Sequence, residues 1–494
     1  MPRPERKNDS PSAAPALQTV GTPLVRYGFT SDGTLETRAF GQADEPIAVL
    51  VCHGMGQQVR YETISSVAEA IRKEAEAVNG PAHTKPVGVH LSYENGSFLA
   101  RAELDWTDKE QKKHSVHVYE AYWAPLTQGQ VSYWDTIVFL LSAGWNGWKW
   151  SKLFRASNFE RWMFEGRKKM RIGPATQAGI IAVLAFLAIQ VGIIAYVLAA
   201  IAGQYKIVLS QSVPQFGSKG FLWACCKLLA PFLPGIGRLI HAPYFAADWW
   251  QRAGLLVLWI ALIAEAFFVR YFLIEYVGDV AAYISPYKDS KFDEIRTKIQ
   301  NIGLGVGKTV YGFGPESPTV PHYQKIVVVG HSLGSVLAYD TLNALMNLDN
   351  VSAPHNRREV VERTRALVTF GSPLDKTAFI FRMQTKNDQS WIREQLAASA
   401  QPLIVSYGLY RPDSFEWINI WSKADIISGE LNYYDDGSKS LNAWPCVQNM
   451  IDPKARTPLA AHVEYWNNPL LRETLYNLVV TERTAPAASA PPAP

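Results

Sequence analysis

The sequence predicts an α/β fold: a mostly parallel sheet with helices on both faces, interrupted by an apolar helical insert. Three observations carry this. Short runs of β-branched and apolar residues, at 46–52, 325–329 and 366–370, read as strands buried on both faces. Amphipathic helical stretches follow the first two of them. Between the early and the late strands lies a long, nearly charge-free middle.

The first element, Pro46-Ile47-Ala48-Val49-Leu50-Val51-Cys52, is apolar throughout and ends in His53-Gly54. A helix is expected over 61–77, because Ile64, Val67, Ile71 and Ala75 recur at three- and four-residue steps. Further strands are expected at 87–91, 98–104 and 116–121. After the apolar middle, Lys325-Ile326-Val327-Val328-Val329 is expected to be a central strand. The helix beginning at Leu333 places Ala338, Leu342, Leu345 and Met346 on one face. Two more strands are expected at 366–370 and 417–421.

Residues 178–203 carry no formal charge, with Gln190 the one strongly polar side chain. As a helix this run is about 39 Å long, enough to cross a hydrocarbon core of roughly 30 Å. A second run, 253–269, is shorter and contains Glu265, so a re-entrant helix competes with a span there. The stretch 221–240 is broken by Pro231 and Pro234 and reads as interfacial. Arg161, Arg167, Lys168, Lys169 and Arg171 precede the first run, with Trp145, Trp148, Trp150 and Trp162 just upstream. A basic cluster with aromatic anchors marks a cytoplasmic membrane interface. If the strands on either side form one sheet, the chain must return to the side it left, which favours two crossings.

The expected organisation is a disordered tail at 1–23, a first part of the α/β domain at 24–130, and a membrane-associated helical insert at 131–280. A second part of the α/β domain follows at 281–483, then a disordered tail at 484–494. No signal peptide is expected, since no apolar run follows the early basic residues. Hydrophobic residues at 48% are ample for a large core. A net charge of +4 gives no case for nucleic acid. The spacing of the four cysteines suits neither a disulfide framework nor a zinc site. Nothing in the sequence signals an oligomeric state.

The chemistry centres on Gly330-His331-Ser332-Leu333-Gly334. A serine hydroxyl needs a base to take its proton. A tight strand-to-helix turn exposes such a hydroxyl and aims a helix N-terminus at developing negative charge. In this arrangement the acid and then the histidine follow the serine. Only His355 and His462 do so, and His462 lies beyond the last expected strand, where it can reach back over the sheet. Asp425, one short turn after 417–421, is the expected acid. Asp375, in Gly371-Ser372-Pro373-Leu374-Asp375, is the alternative. The oxyanion hole is expected from the amide of Leu333 and those of Gly54 and Met55, in His53-Gly54-Met55-Gly56-Gln57-Gln58. Gly303-Leu304-Gly305-Val306-Gly307-Lys308-Thr309 looks like a phosphate loop, but Ile302 stands where the first glycine is required, and a flexible connection is expected instead.

His53-Gly54 after a strand, the Ser332 motif, Phe370-Gly371-Ser372-Pro373-Leu374, a later Asp and a late His resemble lipase-like serine hydrolases of the α/β-hydrolase superfamily. The resemblance covers roughly 46–125 and 323–480 and leaves the apolar middle without a counterpart. It implies ester hydrolysis with no metal or organic cofactor. The expected activity is therefore a membrane-anchored lipase or phospholipase at the inner or plasma membrane. Its hydrolase domain would be cytoplasmic, its partners a lipid or acyl-ester substrate and the bilayer, with no nucleic acid. A thioesterase or acyltransferase would use the same Ser332, Asp425 and His462. A catalytically inactive membrane scaffold is the reading from a different class.

Overall fold

A computed structural model describes residues 26–29, 35–38, 46–55, 59–94, 97–127, 283, 290–313, 320–377, 415–425, 427–431, 447–457 and 460–481. The expected tails, the whole 131–280 insert with its runs 178–203 and 253–269, and Gly56-Gln57-Gln58 lie outside these residues. Among the described residues no helix is long and apolar enough to cross a membrane.

The described strands are β1 (Arg26–Phe29), β2 (Leu35–Arg38), β3 (Ile47–Cys52), β4 (Gly88–Glu94), β5 (Ser97–Thr107), β6 (Lys113–Ala121), β7 (Ile326–His331), β8 (Thr364–Phe370), β9 (Glu416–Trp421) and β10 (Gln448–Ile451). They form one ten-stranded sheet in the order β10-β9-β8-β7-β3-β6-β5-β4-β1-β2. From β10 to β6 every neighbour is parallel. From β6 outward to β2 every neighbour is antiparallel. The sheet is thus mixed. The parallel part carries the uninterrupted apolar runs, and the antiparallel part was not distinguished from it by periodicity. β3, from before the insert, lies between β6 and β7. The two parts of the α/β region therefore share one sheet.

Helices cover both faces. On one face lie α1 (Glu62–Asn79) and α6 (Pro469–Val480), which bury Ile64, Val67, Ile71, Leu475 and Leu478 with Val49, Val51, Val327 and Val329. On the other lie α2 (Ser290–Tyr311) and α3 (Leu333–Val351), over Leu50, Ile326 and Val328. Consecutive valines of β7 thus enter opposite layers, as the two-residue strand period requires. Short helices α4 (Val360–Arg363) and α5 (Ala461–Glu464) complete the described elements, along with 3-10 turns such as Tyr465–Asn467.

One expectation is corrected here. Gly303 to Thr309 is not a flexible connection but the C-terminal part of α2. A Cβ on Gly303 would fall 2.3 Å from Thr341 Oγ1, and one on Gly307 2.8 Å from Leu345 Cδ1. Glycines four residues apart share a helix face. They leave a notch that admits α3, and burial against α3 outweighs a propensity cost of about 1 kcal/mol per glycine. The outer strands β1, β2 and β10 have no counterpart among the expected strands; each is four residues long, and β10, with a half-exposed face, shows no apolar period.

Gly334 packs closer still. A Cβ there would lie 2.1 Å from the His53 carbonyl oxygen and 2.2 Å from that of Cys52, both main-chain atoms at the end of β3. Gly305, in α2, has open space around its Cβ position. Gly334→Ala should therefore lower unfolding free energy by about 2 kcal/mol, while Gly305→Ala should raise it by about 0.5–1 kcal/mol. Urea unfolding of both variants checks this; equal effects would contradict the packing described.

Candidate active site

β7 delivers Ser332 directly after its last residue, and α3 starts directly after it. Ser332 has φ 53° and ψ −130°, a backbone region that costs a non-glycine residue about 1–3 kcal/mol. Neighbouring groups hold it there. The Ser332 N–H donates to the Phe370 carbonyl at the end of β8, at 3.0 Å. The Ser332 carbonyl accepts the Ser335 N–H at 2.9 Å and the Ser335 hydroxyl at 2.5 Å. Ser335 Oγ also lies 2.7 Å from Ser372 Oγ. A carbonyl can only accept, so the Ser335 proton points at Ser332 and Ser372 must donate to Ser335. The Leu374 N–H in turn donates to Ser372 Oγ at 3.3 Å. The Phe370–Leu374 segment thus braces the serine turn.

His462 sits in α5, a single helical turn after β10. Its Nε2 lies 2.8 Å from Ser332 Oγ and its Nδ1 3.0 Å from Asp425 Oδ2. An ionised carboxylate only accepts, so Nδ1 carries the proton and Nε2 faces the serine hydroxyl as a base. Asp425 follows β9 and is 2% exposed. Burial alone would push its carboxyl up. The hydrogen bond and charge of His462, the Ile427 N–H and the Ser428 hydroxyl outweigh burial and hold it well below the usual carboxylate range. Tyr465 donates its hydroxyl to the same Oδ2 at 3.0 Å. The loop carrying the acid is tied down by Lys376, whose Nζ donates to the carbonyls of Ile427 and Ser428 at 2.7 and 2.9 Å. Burial lowers the Lys376 ammonium, while Asp425 and Asp375 beside it favour its charge.

Between the two candidate acids, the structure puts Asp425 on His462. Asp375 instead stands next to the lysine that anchors the Asp425 loop. Between the two candidate histidines it puts His462 on the serine, while His355 sits in the exposed turn Pro354–Asn356.

Two other histidines shape the site without touching the serine hydroxyl. His331 Nε2 donates to the His462 carbonyl at 3.0 Å, and its ring packs on Phe370, Trp466 and the His462 ring. Burial pushes it down to about 3, so it is neutral. His53 accepts the Trp123 and Ala124 amides at Nε2, at 2.9 and 3.3 Å. Its proton is therefore on Nδ1, which donates to the Gly54 carbonyl at 2.8 Å. Burial pushes His53 down to about 4. Its bond fixes the Gly54–Met55 peptide plane. In a trans peptide the Met55 N–H then points away from His53. Gly54 abuts Ser332: a Cβ on it would come 2.9 Å from Ser332 Cβ. Leu333 is the first residue of α3, where backbone N–H groups have no acceptor within the helix.

The sequence did not single out Tyr465, Ser335, Ser372 or Lys376. Tyr465 had a usable signal, standing three residues after His462 on one helical stretch. Ser372 stood within the Phe370–Leu374 motif but without a partner named for it, and Ser335 had no signal, because serines of this kind are common and their pairing is tertiary. Among the described residues no group of three or more His, Cys, Asp or Glu side chains is arranged to hold a metal ion. Chemically, the arrangement can move a proton from Ser332 Oγ to His462 and stabilise the resulting imidazolium against Asp425.

His331 and His53 have folded values below the 6.5 of a free imidazole. The unfolded chain binds protons below about pH 6.5 that the folded chain refuses until about pH 4 or 3. Their stabilisation is complete above pH 6.5 and is lost as pH falls through that window. Each contributes a slope of about 1.4 kcal/mol per pH unit there. Urea unfolding at pH 7, 6 and 5 should show stability falling steeply, and His331→Gln should flatten the fall. A flat profile would mean the two rings are not buried neutral. No known protein family and no curated protein sequence matches this chain.

Proposed function

We propose that the protein is a serine hydrolase that cleaves carboxylic esters through an acyl-enzyme on Ser332. The observation that carries this is the continuous line from Ser332 Oγ through His462 to Asp425, with the serine held in a strained strand-to-helix turn. Ser332 Oγ attacks the acyl carbonyl as His462 Nε2 takes its proton. His462 then gives that proton to the leaving oxygen, and water activated by His462 releases the acyl group. The amides of Leu333, Gly54 and Met55 would receive the oxyanion, aided by the N-terminus of α3. The α/β-hydrolase fold is supported by the parallel strands, and by serine, acid and histidine following β7, β9 and β10 in that order.

The substrate class we propose is lipid. Its support is the pair of apolar runs 178–203 and 253–269, with basic and tryptophan-rich flanks on the first. Strands from before and after the 131–280 insert share one sheet, as a hairpin insert that returns to its starting side requires. The domain would then lie on the cytoplasmic face of the membrane, with its ester substrate delivered from the bilayer.

A fluorophosphonate probe should label the membrane-bound wild type and leave Ser332→Ala unlabelled. Equal labelling of both would overturn the nucleophile assignment. Asp425→Asn should slow labelling on the order of 10³-fold, since the imidazole loses its orienting partner. The chain should stay in the membrane pellet after an alkaline carbonate wash, and p-nitrophenyl esters should be cleaved faster as the acyl chain lengthens. Release by the wash, with a preference for acetate, would overturn the lipid assignment.

A further inference from the structure

We propose that Tyr465 is a positioning residue that shares Asp425 Oδ2 with His462 and so sets how strongly Asp425 holds the imidazolium. This rests on the hydrolase reading of Ser332, Asp425 and His462. Tyr465 is fully buried, and its hydroxyl lies 3.0 Å from the oxygen that His462 Nδ1 also contacts. A carboxylate cannot donate, so the tyrosine does. The phenol oxygen also lies 3.0 Å from the Ser428 hydroxyl. Burial pushes the Tyr465 hydroxyl well up, so it keeps its proton across the working range. The two donors to Oδ2 sit three residues apart on one stretch, and the Tyr465 ring packs edge-on against Phe370, whose carbonyl holds the Ser332 N–H. Tyr465 thus touches the acid and the strand end that fixes the nucleophile.

A donor on a carboxylate oxygen spreads its charge and weakens its pull on a second donor. With Tyr465 present, Oδ2 orients His462 with a weaker hold on its Nδ1 proton than an unshared oxygen would have. The other groups facing this pair are Ser428 and the Ile427 amide on the acid loop, Lys376 and Asp375 on the segment after β8, His331 at the end of β7, and Asp452 after β10. Among these, Tyr465 and His462 meet on Oδ2 itself, and Ile427 bonds Oδ1.

The test is Tyr465→Phe, which keeps the ring and removes the donor. The rate of fluorophosphonate modification of Ser332 is measured against pH, and the His462 ring signals are titrated by NMR in the same proteins. The acid limb should move up by roughly half to one pH unit, making modification on that limb roughly three- to tenfold slower. Ser428→Ala should move it the same way by less. A loss of rate with an unmoved limb would show Tyr465 to be only a packing residue and overturn the proposal, with the hydrolase reading intact. No modification of Ser332 in the wild type would overturn the hydrolase reading. The NMR titration, which needs no reaction, would then decide the Tyr465 coupling: an upward shift in Tyr465→Phe supports it, and no shift overturns it.

Discussion

Ser332 occupies a backbone conformation that a serine adopts only under constraint, and its surroundings supply the constraint from three directions. β8 takes its amide through Phe370. The first turn of α3 takes its carbonyl through both donors of Ser335. Gly334 lets α3 settle against the end of β3, with no side chain between them. Hydrogen bonds of about 1 kcal/mol each are comparable to a strain of about 1–3 kcal/mol. The turn is therefore stable only as part of the packed sheet. Everything else in the site is measured from that fixed point, including the reach of His462.

Polar groups around the serine are satisfied mostly by backbone. His53 spends both ring nitrogens on main-chain partners, and His331 spends Nε2 on the His462 carbonyl. Such bonds select one tautomer, and burial keeps each ring neutral, which suits a site where an unpaired charge is costly. His462 differs. Its ring is 12% exposed in the side chain and faces a carboxylate on one side and a hydroxyl on the other. Of the three rings it is the one bonded to side chains through both nitrogens.

The chain before and after the insert meets around Ser332. α2 follows the insert and packs its glycine notch onto α3, the helix that starts directly after Ser332. Tyr283 donates to Asp340 on α3 at 2.6 Å, and Gln300 on α2 donates to the same oxygen at 3.0 Å. A buried carboxylate with two donors is costly to break. It joins the returning chain to α3, and β3 joins the outgoing chain to β7.

The local features of this protein were legible in its sequence. Uninterrupted apolar runs located β3, β7 and β8, the 3.6-residue period located α1, and two glycines around Ser332 marked a tight turn between a strand and a helix. These depend on neighbours within a few residues, so spacing alone encodes them. Chain order left His355 and His462 for the base, and position relative to the expected strands favoured His462 over His355 and Asp425 over Asp375. The contact itself is tertiary: Asp425 and His462 are 37 residues apart and His462 and Ser332 130 apart. Where such loops close depends on how the whole sheet orders its strands. The same holds for the glycine-rich stretch at 303–309, which is helical because α3 lies against it. It holds also for Tyr465, whose partner is set by the fold of the acid loop and not by any residue beside it in the chain.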